Sequence, residues 1–575
     1  MLKLIKYLKP YWYFVVGALT FVFFQSIADL YLPTLMSDIV DTGIVKGDVN
    51  YIISVGIKMI AVAFGGALSA ILASFLASRA SMGFGRTLRQ KIFSHVENFS
   101  LHEFDKIGTA SLITRTTNDV TQIQMVLMIG LRMIAMAPMM AIGGIIMAVS
   151  KAPKLSVILF IALPLVILIV YLTAKVTLPL FKSLQQKIDT INRILRENLT
   201  GVRVIRAFNR TEYEKKRFHK ANLDLTSVAI RVNRLMAGLM PIMMLILNIT
   251  VVAIIWFGSI RIDRGEIQVG DMMAFMQYAM QIMFSIIMVS IIFMMLPRAS
   301  ASAERINEVL SISPEIKDPE NPQIPSEDKG VIEFKDVTFS YPGAEEPALS
   351  NISFKAEPGK ITAIIGATGS GKSTILNLIM RFYDVDKGSI LLDGVDIRNI
   401  PQEFLRSKIG YAPSKSILFT GTVAENIKYG KKDATEEEIK HAADIAQALE
   451  FINEMKDQFD SLISQGGTNI SGGQKQRLSI ARALVRKPKI YLFDDCFSAL
   501  DFKTDAKLRL ALKKEIQNTT VIIVAQRVAT IMDADQIIVL QDGKIAGIGR
   551  HKELLETCQV YRDIVLSQLS EEEIA

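Results

Sequence analysis

Six apolar runs of roughly 20 residues occupy the first three hundred positions of this chain, and a run of that length crosses a bilayer core of about 30 Å. They lie near 11–32, 52–78, 126–149, 155–178, 236–260 and 272–296. Hydrocarbon cannot satisfy backbone N–H and C=O groups, so each run is expected to be a membrane helix. Charged stretches with helical spacing join the second to the third run and the fourth to the fifth, which predicts helices extending far beyond the bilayer. The other connections, around Lys46, Lys151 and 261–266, are short.

Charge orients this bundle. Basic residues cluster at Arg79, Arg86, Arg89 and Lys91 and again at Arg193, Arg196, Arg203, Arg206 and Arg210. Such clusters mark cytoplasmic connections, and an even number of spans puts both termini on that side of the cytoplasmic membrane. The formal charge of +8 is therefore a membrane signature. No basic stripe interleaved with aromatics is present, which argues against nucleic acid as a partner. Lys3, Lys6 and Lys9 before the first apolar run resemble a secretory signal. The run continues to about Leu32 without a small-residue cleavage site, so a retained helix behind a short interfacial segment is expected. Cys496 and Cys558 imply no disulfide framework.

At 575 residues the chain exceeds what one core supports. Residues 311–330, SISPEIKDPENPQIPSEDKG, are rich in proline and charge and form the expected linker between a membrane domain, 1–310, and a second domain, 331–575. VIEFKDVTFSY and ALSNISFKA alternate as antiparallel strands do, and strand–helix alternation follows, the pattern of an α/β domain.

That domain carries ITAIIGATGSGKST. Gly366–Ser373 fits the P-loop pattern, after a strand at 361–365 and before an apolar-periodic helix. Gly366, Ala367, Thr368, Gly369, Ser370 and Gly371 can turn backbone N–H groups around phosphate oxygens. Lys372 reaches the terminal phosphates of ATP, Ser373 can ligate Mg2+, and Thr374 continues into a helix whose N-terminus favours anions. KIYLFDD supplies the matching acid, Asp494, at the end of a buried strand, where it would hold Mg2+ through water.

Between these motifs stands ISGGQKQRLSIARAL. With it the chain resembles an ABC exporter half-transporter, a polytopic domain of six transmembrane helices with long cytoplasmic extensions followed by an α/β P-loop ABC ATPase domain, over nearly its whole length. The resemblance implies that Ser471, Gly472, Gly473 and Gln474 serve the ATP of a second half-transporter packed head to tail. It implies that Tyr341 stacks on adenine, that SALD (498–501) communicates between composite sites, and that 101–108 and 207–213 are coupling helices.

Three positions depart from the family pattern. Asp495 stands where a catalytic glutamate is expected, retracting the carboxylate by about 1 Å, and misplacement on that scale costs roughly a hundredfold. Gln526 replaces the switch histidine; an amide donates a hydrogen bond to phosphate but cannot share a proton. Ser414 replaces the loop glutamine and is too short to reach the same atoms. Gln465 replaces an acid in the loop that senses the opposite membrane domain. The resemblance then implies the degenerate subunit of a heterodimeric, multidrug-type exporter.

The sixth span is methionine-rich, with Gln277, Tyr278, Gln281 and Ser285 as its polar groups. Methionines repack around ligands of varied shape, so hydrophobic or amphipathic small molecules are the expected substrates and membrane lipids the expected surroundings. Asp29 and Arg132 are the ionisable groups expected near opposite ends of the spans. A lipid or lipid-linked glycan flippase is the alternative within transport, and an ATP-gated channel or regulatory subunit the alternative outside it.

Overall fold

In the computed structural model the chain forms two compact units, Met1–Glu97 with Thr109–Ile312, and Asn98–Gly108 with Ser313–Ala575. The structure describes residues 2–498, 500–515 and 517–568, so Ala499 of the SALD segment lies outside them.

The first unit is helical: α1 (Trp12–Asp38), α2 (Val49–Val96), α3 (Val120–Lys151), α4 (Ser156–Thr200), α5 (Thr211–Asp263) and α6 (Val269–Ser311). Among the described residues, six helices are long and apolar enough to cross a membrane. At 48 and 53 residues, α2 and α5 far outrun the bilayer, reaching about 70 and 80 Å at 1.5 Å per residue. Apolar side chains face outward along these helices; Ile60 and Phe64 are each 71% exposed and Trp256 is 68% exposed. Bands of this kind are tolerable only against lipid. Inward faces instead use small residues: Ala73, Ala77, Ala80, Ser81 and Gly85 recur at helical spacing along α2 and are buried. At Gly66 a Cβ would stand 3.1 Å from that of Ala28 on α1, so small side chains set how closely these helices approach.

Polar groups inside the bundle are paired within and between helices. The Tyr278 hydroxyl pairs with Thr34 Oγ1 at 2.7 Å and donates to the Leu30 carbonyl at 3.2 Å on α1, while Ser285 donates to the Ile282 carbonyl of its own helix at 2.6 Å. Both residues are buried, so their hydroxyls serve packing inside the bundle. Gln281 donates to the Asp29 carbonyl at 3.0 Å, and Arg132 to Ser74 Oγ at 3.3 Å.

Two π-helical turns fix the ends of α6. Asp41, in Ile39–Ile44, accepts the Gly270 N–H at 2.6 Å. Asp119, in Arg115–Asp119, is buried and accepts from Ser302 at 2.9 Å and from the Arg305 guanidinium. A π-turn rotates a side chain off its helical face, which is how both acids reach α6.

Short helices sit at Leu101–Ile107 and Val202–Ala207. The second lies earlier than 207–213 because Asn209 adopts a left-handed φ of 51° and breaks the helix before α5. Residues 98–108 belong with the second unit. There Glu103 accepts the Ser100 N–H at 2.5 Å and the Glu315 N–H at 2.9 Å, and His102 meets Glu315 at 2.9 Å.

The second unit is built from β1 (Ile332–Phe339), β2 (Leu349–Ala356), β3 (Ile361–Gly366), β4 (Lys387–Leu392), β5 (Ile409–Ala412), β6 (Ile490–Asp494), β7 (Thr520–Val524), β8 (Gln536–Gln541) and β9 (Lys544–Gly549). β2, β1 and β4 form an antiparallel sheet; the second sheet runs β9-β8-β3-β7-β6-β5, parallel except at β9. Alternate residues of the parallel strands enter different cores, Tyr491 and Phe493 one, Ile490 and Leu492 the other. Both faces are covered, which explains the near-continuous apolar runs IYLF and VIIV. The linker is held along this unit: Gln323 donates to the Asn399 carbonyl at 2.8 Å and Asp318 accepts the Gln402 N–H at 2.9 Å.

Arg305→Ala leaves the Asp119 carboxylate buried with the Ser302 hydroxyl still donating to it, a loss of about 1–3 kcal/mol. The thermal denaturation midpoint in detergent is expected to fall, and to recover when Asp119→Asn is added.

Candidate functional site

The sheet order decides which residues meet. β7 lies between β3 and β6, with Val524 paired to Ile364 on one side and to Asp494 on the other. The carboxyl ends of three adjacent parallel strands, carrying the P-loop, the paired acids and the switch position, therefore converge. Ligands of open α/β sheets sit at this edge.

β3 leads through the phosphate loop into α7 (Lys372–Ile379). Gly371 has a φ of +96°, and a Cβ there would stand 2.6 Å from Leu349 Cδ2 and 2.9 Å from the Ala348 carbonyl. Conformation and space both demand glycine. Inside the loop the Ser370 hydroxyl is buried without a hydrogen-bond partner among the described residues. An orphaned donor in a loop of turned-in N–H groups at a helix N-terminus fits an oxyanion. Lys372 folds back to donate to the Gly366 and Ala367 carbonyls at 2.8 and 2.7 Å. Burial holds its pKa below the usual lysine range, against the pull of Asp495 and Asp494.

Ser373 donates to Asp494 Oδ1 at 2.9 Å. A hydroxyl and a carboxylate oxygen at this spacing suit the two protein oxygens of a Mg2+ site, a hard cation that keeps several waters. Burial raises the Asp494 pKa, the Ser373 hydrogen bond opposes it, and Asp495 adds to it. Asp495 turns sharply away from its strand at a φ of 47° while its N–H donates to the Val524 carbonyl at 2.9 Å. Burial raises its pKa too, against hydrogen bonds from Ser498 and from the Gln526 N–H. The Gln526 side chain is exposed.

Tyr341 pairs its hydroxyl with Thr374 Oγ1 at 3.0 Å, and its ring meets Phe339 and Tyr383 edge-on at 5.0 and 5.4 Å. The expected adenine platform is thus tied to the first turn of α7. Ser471 caps α8 (Gly472–Leu484) in a reciprocal box, accepting the Gln474 N–H at 3.2 Å while its own N–H reaches Gln474 Oε1 at 2.9 Å. Gln474 has a local structural task here, beside an exposed helix start at Ser471 and Gly472. Ser414 is exposed and its carbonyl accepts from Gln476 at 3.4 Å, so it is tied to the signature helix.

The P-loop, Asp494, Asp495 and Gln526 come together, whereas Ser414 and the signature form a second group. Sequence reasoning missed Gln476, whose helix face points to the Ser414 loop, and Gln568, whose amide contacts the backbone at Gln526. Gln476 could have been found from its place three residues after Gly473 on an amphipathic helix; Gln568 carried no signal.

This geometry has known counterparts. Residues 15–286 match the ABC transporter transmembrane region and residues 349–498 the ABC transporter domain. An ABC transporter ATP-binding protein of Mycobacterium tuberculosis is 43% identical over 567 residues, covering 98% of this chain and 97% of its own. The chain belongs to the ABC transporters. An ATP-dependent lipid A-core flippase of Desulfotalea psychrophila is 34% identical, with 91% of each chain covered. A bacterial Atm1-family ABC exporter solved with ATP bound superposes with a TM-score of 0.81 at 25% identity, covering 97% of this chain and 98% of that one. This ABC chain is accordingly an exporter half-transporter, a multi-pass membrane domain fused to an ATP-binding ABC ATPase domain.

Asp494 and Asp495 hold protons more firmly when folded than when unfolded, so stability falls as pH rises from the unfolded aspartate range through the raised folded values. Asp494→Asn removes that cost, and the ligand-free chain is expected to melt at a higher temperature near neutral pH. The same variant is expected to lose the Mg2+-dependent tightening of ATP binding, as titration with and without the cation would record.

Proposed function

We propose that this chain is the hydrolysis-poor half of a heterodimeric exporter that moves hydrophobic or amphipathic compounds out across the cytoplasmic membrane. It binds Mg2+ and ATP on Lys372, Ser373 and Asp494, with Tyr341 against adenine, and lends Ser471, Gly472 and Gly473 to the ATP of its partner. The observation that carries this reading is the pairing of a complete phosphate-holding set with three altered hydrolytic positions, Asp495, Gln526 and Ser414.

Local geometry supports it. Asp495 is shorter than the glutamate of the family pattern and turns away from its strand at a φ of 47°. A general base must reach the proton that it removes, and a retracted carboxylate is poorly placed for water. Gln526 can donate to phosphate but offers no titratable nitrogen. Apolar substrate is supported by a cavity between α5 and α6 lined by Met240, Met243, Met244, Leu247, Met283 and Phe284. Thioether chains adapt to ligands of different outline.

A lipid substrate is the second reading, favoured by the relatives named as lipid A-core flippases, 34% and 30% identical to this chain. Stimulation of ATP turnover by one lipid class alone would select it; stimulation by unrelated amphiphiles would select the broader export.

In the purified assembly, Asp495→Ala is expected to change ATP turnover by less than about twofold, whereas removing the base of the partner costs roughly 10² to 10⁴. A hundredfold loss from Asp495→Ala, or ordinary transport-coupled turnover by this chain as a homodimer, would refute the proposal.

A further inference from the structure

We infer that Gln568 is a positioning residue for the ATP site, holding the switch segment from behind through a two-point amide clamp. The final described helix, α9 (Gln559–Leu566), is anchored by Tyr561 and Val565, which enter the core that also buries Val528. The Tyr561 hydroxyl is further fixed by His551 Nδ1 at 2.7 Å. Two residues beyond α9, Gln568 Nε2 donates to the Gln526 carbonyl at 2.8 Å, and its Oε1 accepts the Val528 N–H at 2.8 Å. The side chain thus brackets Arg527 and pairs with the backbone as a neighbouring strand would.

Just before the clamped segment, the Ala525 N–H donates to the Ile364 carbonyl at 3.1 Å, and the Asp495 N–H donates to the Val524 carbonyl at 2.9 Å. Gln526 is therefore held between the strand ends that carry the P-loop and the acid at the base position on one side and the clamp on the other. Its side-chain direction follows from a backbone fixed at both ends. Only a primary amide of this length satisfies both contacts: a glutamate cannot donate to the carbonyl, and an asparagine is one methylene short. Gln526 and Gln568 are exposed, so on loss of the clamp the freed Gln526 carbonyl meets water, while Val528 itself is buried and its N–H is uncovered on the side that the Gln568 amide leaves. The inference rests on ATP binding at this site and not on the division of labour proposed above.

The test uses the full chain in its assembly with Gln568→Ala and Gln568→Glu. Three quantities are read: amide hydrogen exchange at Val528, release of radiolabelled ATP into a chase of unlabelled ATP, and the thermal midpoint. Val528 is expected to exchange faster and ATP to leave about fivefold faster, the worth of one net hydrogen bond. The midpoint and the protection of β7 should stay unchanged, and Gln568→Glu should match Gln568→Ala in ATP release. Unchanged ATP release overturns the inference, whether or not Val528 exchange changes. So does a lowered midpoint with loss of β7 protection, which assigns Gln568 a structural role. A hydrolysing homodimer would refute the division of labour and leave the ATP-release comparison intact.

Discussion

The parallel pairing of β7 with both β3 and β6 is the constraint on which the rest of the ATP site depends. One register places Val524 beside Ile364 and Asp494 together. Two further hydrogen bonds extend it past the strand ends, Asp495 N–H to the Val524 carbonyl at 2.9 Å and Ala525 N–H to the Ile364 carbonyl at 3.1 Å. Because a slip by one residue would turn every side chain to the opposite face, the apolar cores on both sides lock this register. Phosphate loop, magnesium acid and switch segment are thereby brought to one edge by burial of Ile, Val and Phe side chains that never touch nucleotide.

The site concentrates cost where the chemistry is. Lys372, Asp494 and Asp495 are partly or wholly removed from water and burial disfavours the charged form of each. Gly371 occupies a backbone conformation open to few residues, and the Ser370 hydroxyl goes unpaired among the described residues. A chain that had abandoned nucleotide would gain stability by losing these features. Their retention beside altered hydrolytic positions is coherent with a site kept for holding ATP.

Much of this was legible in the sequence, because its carriers are local. Membrane helices follow from apolar runs, the P-loop from contiguous glycines between strand and helix, and Asp494 from a strand that ends in acid. What escaped depends on contacts between distant segments. Asn209 breaks a helix through one left-handed residue, Tyr278 reaches Thr34 and Leu30 on another helix, and the acids of two π-turns find α6 from positions with no periodic signature. The amide of Gln568 lies 42 residues from the segment that it holds. Periodicity reports which face is apolar and says little of which polar atom answers a backbone group far away.

The membrane unit shows how the two solvents divide the work. Outward faces carry large apolar side chains, inward faces small ones, and the half-buried Asp41 and buried Asp119 join helices at their ends. Hydrocarbon supplies no force between helices, so close approach and a few hydrogen bonds must hold them. The central claim, that this chain holds ATP which its partner site consumes, is tested most directly by trapping photoreactive ATP with vanadate during turnover and locating the label. Label concentrated on the partner subunit, with unhydrolysed ATP recovered from this chain, is the predicted result. Equal trapping of hydrolysed nucleotide on both chains would contradict it.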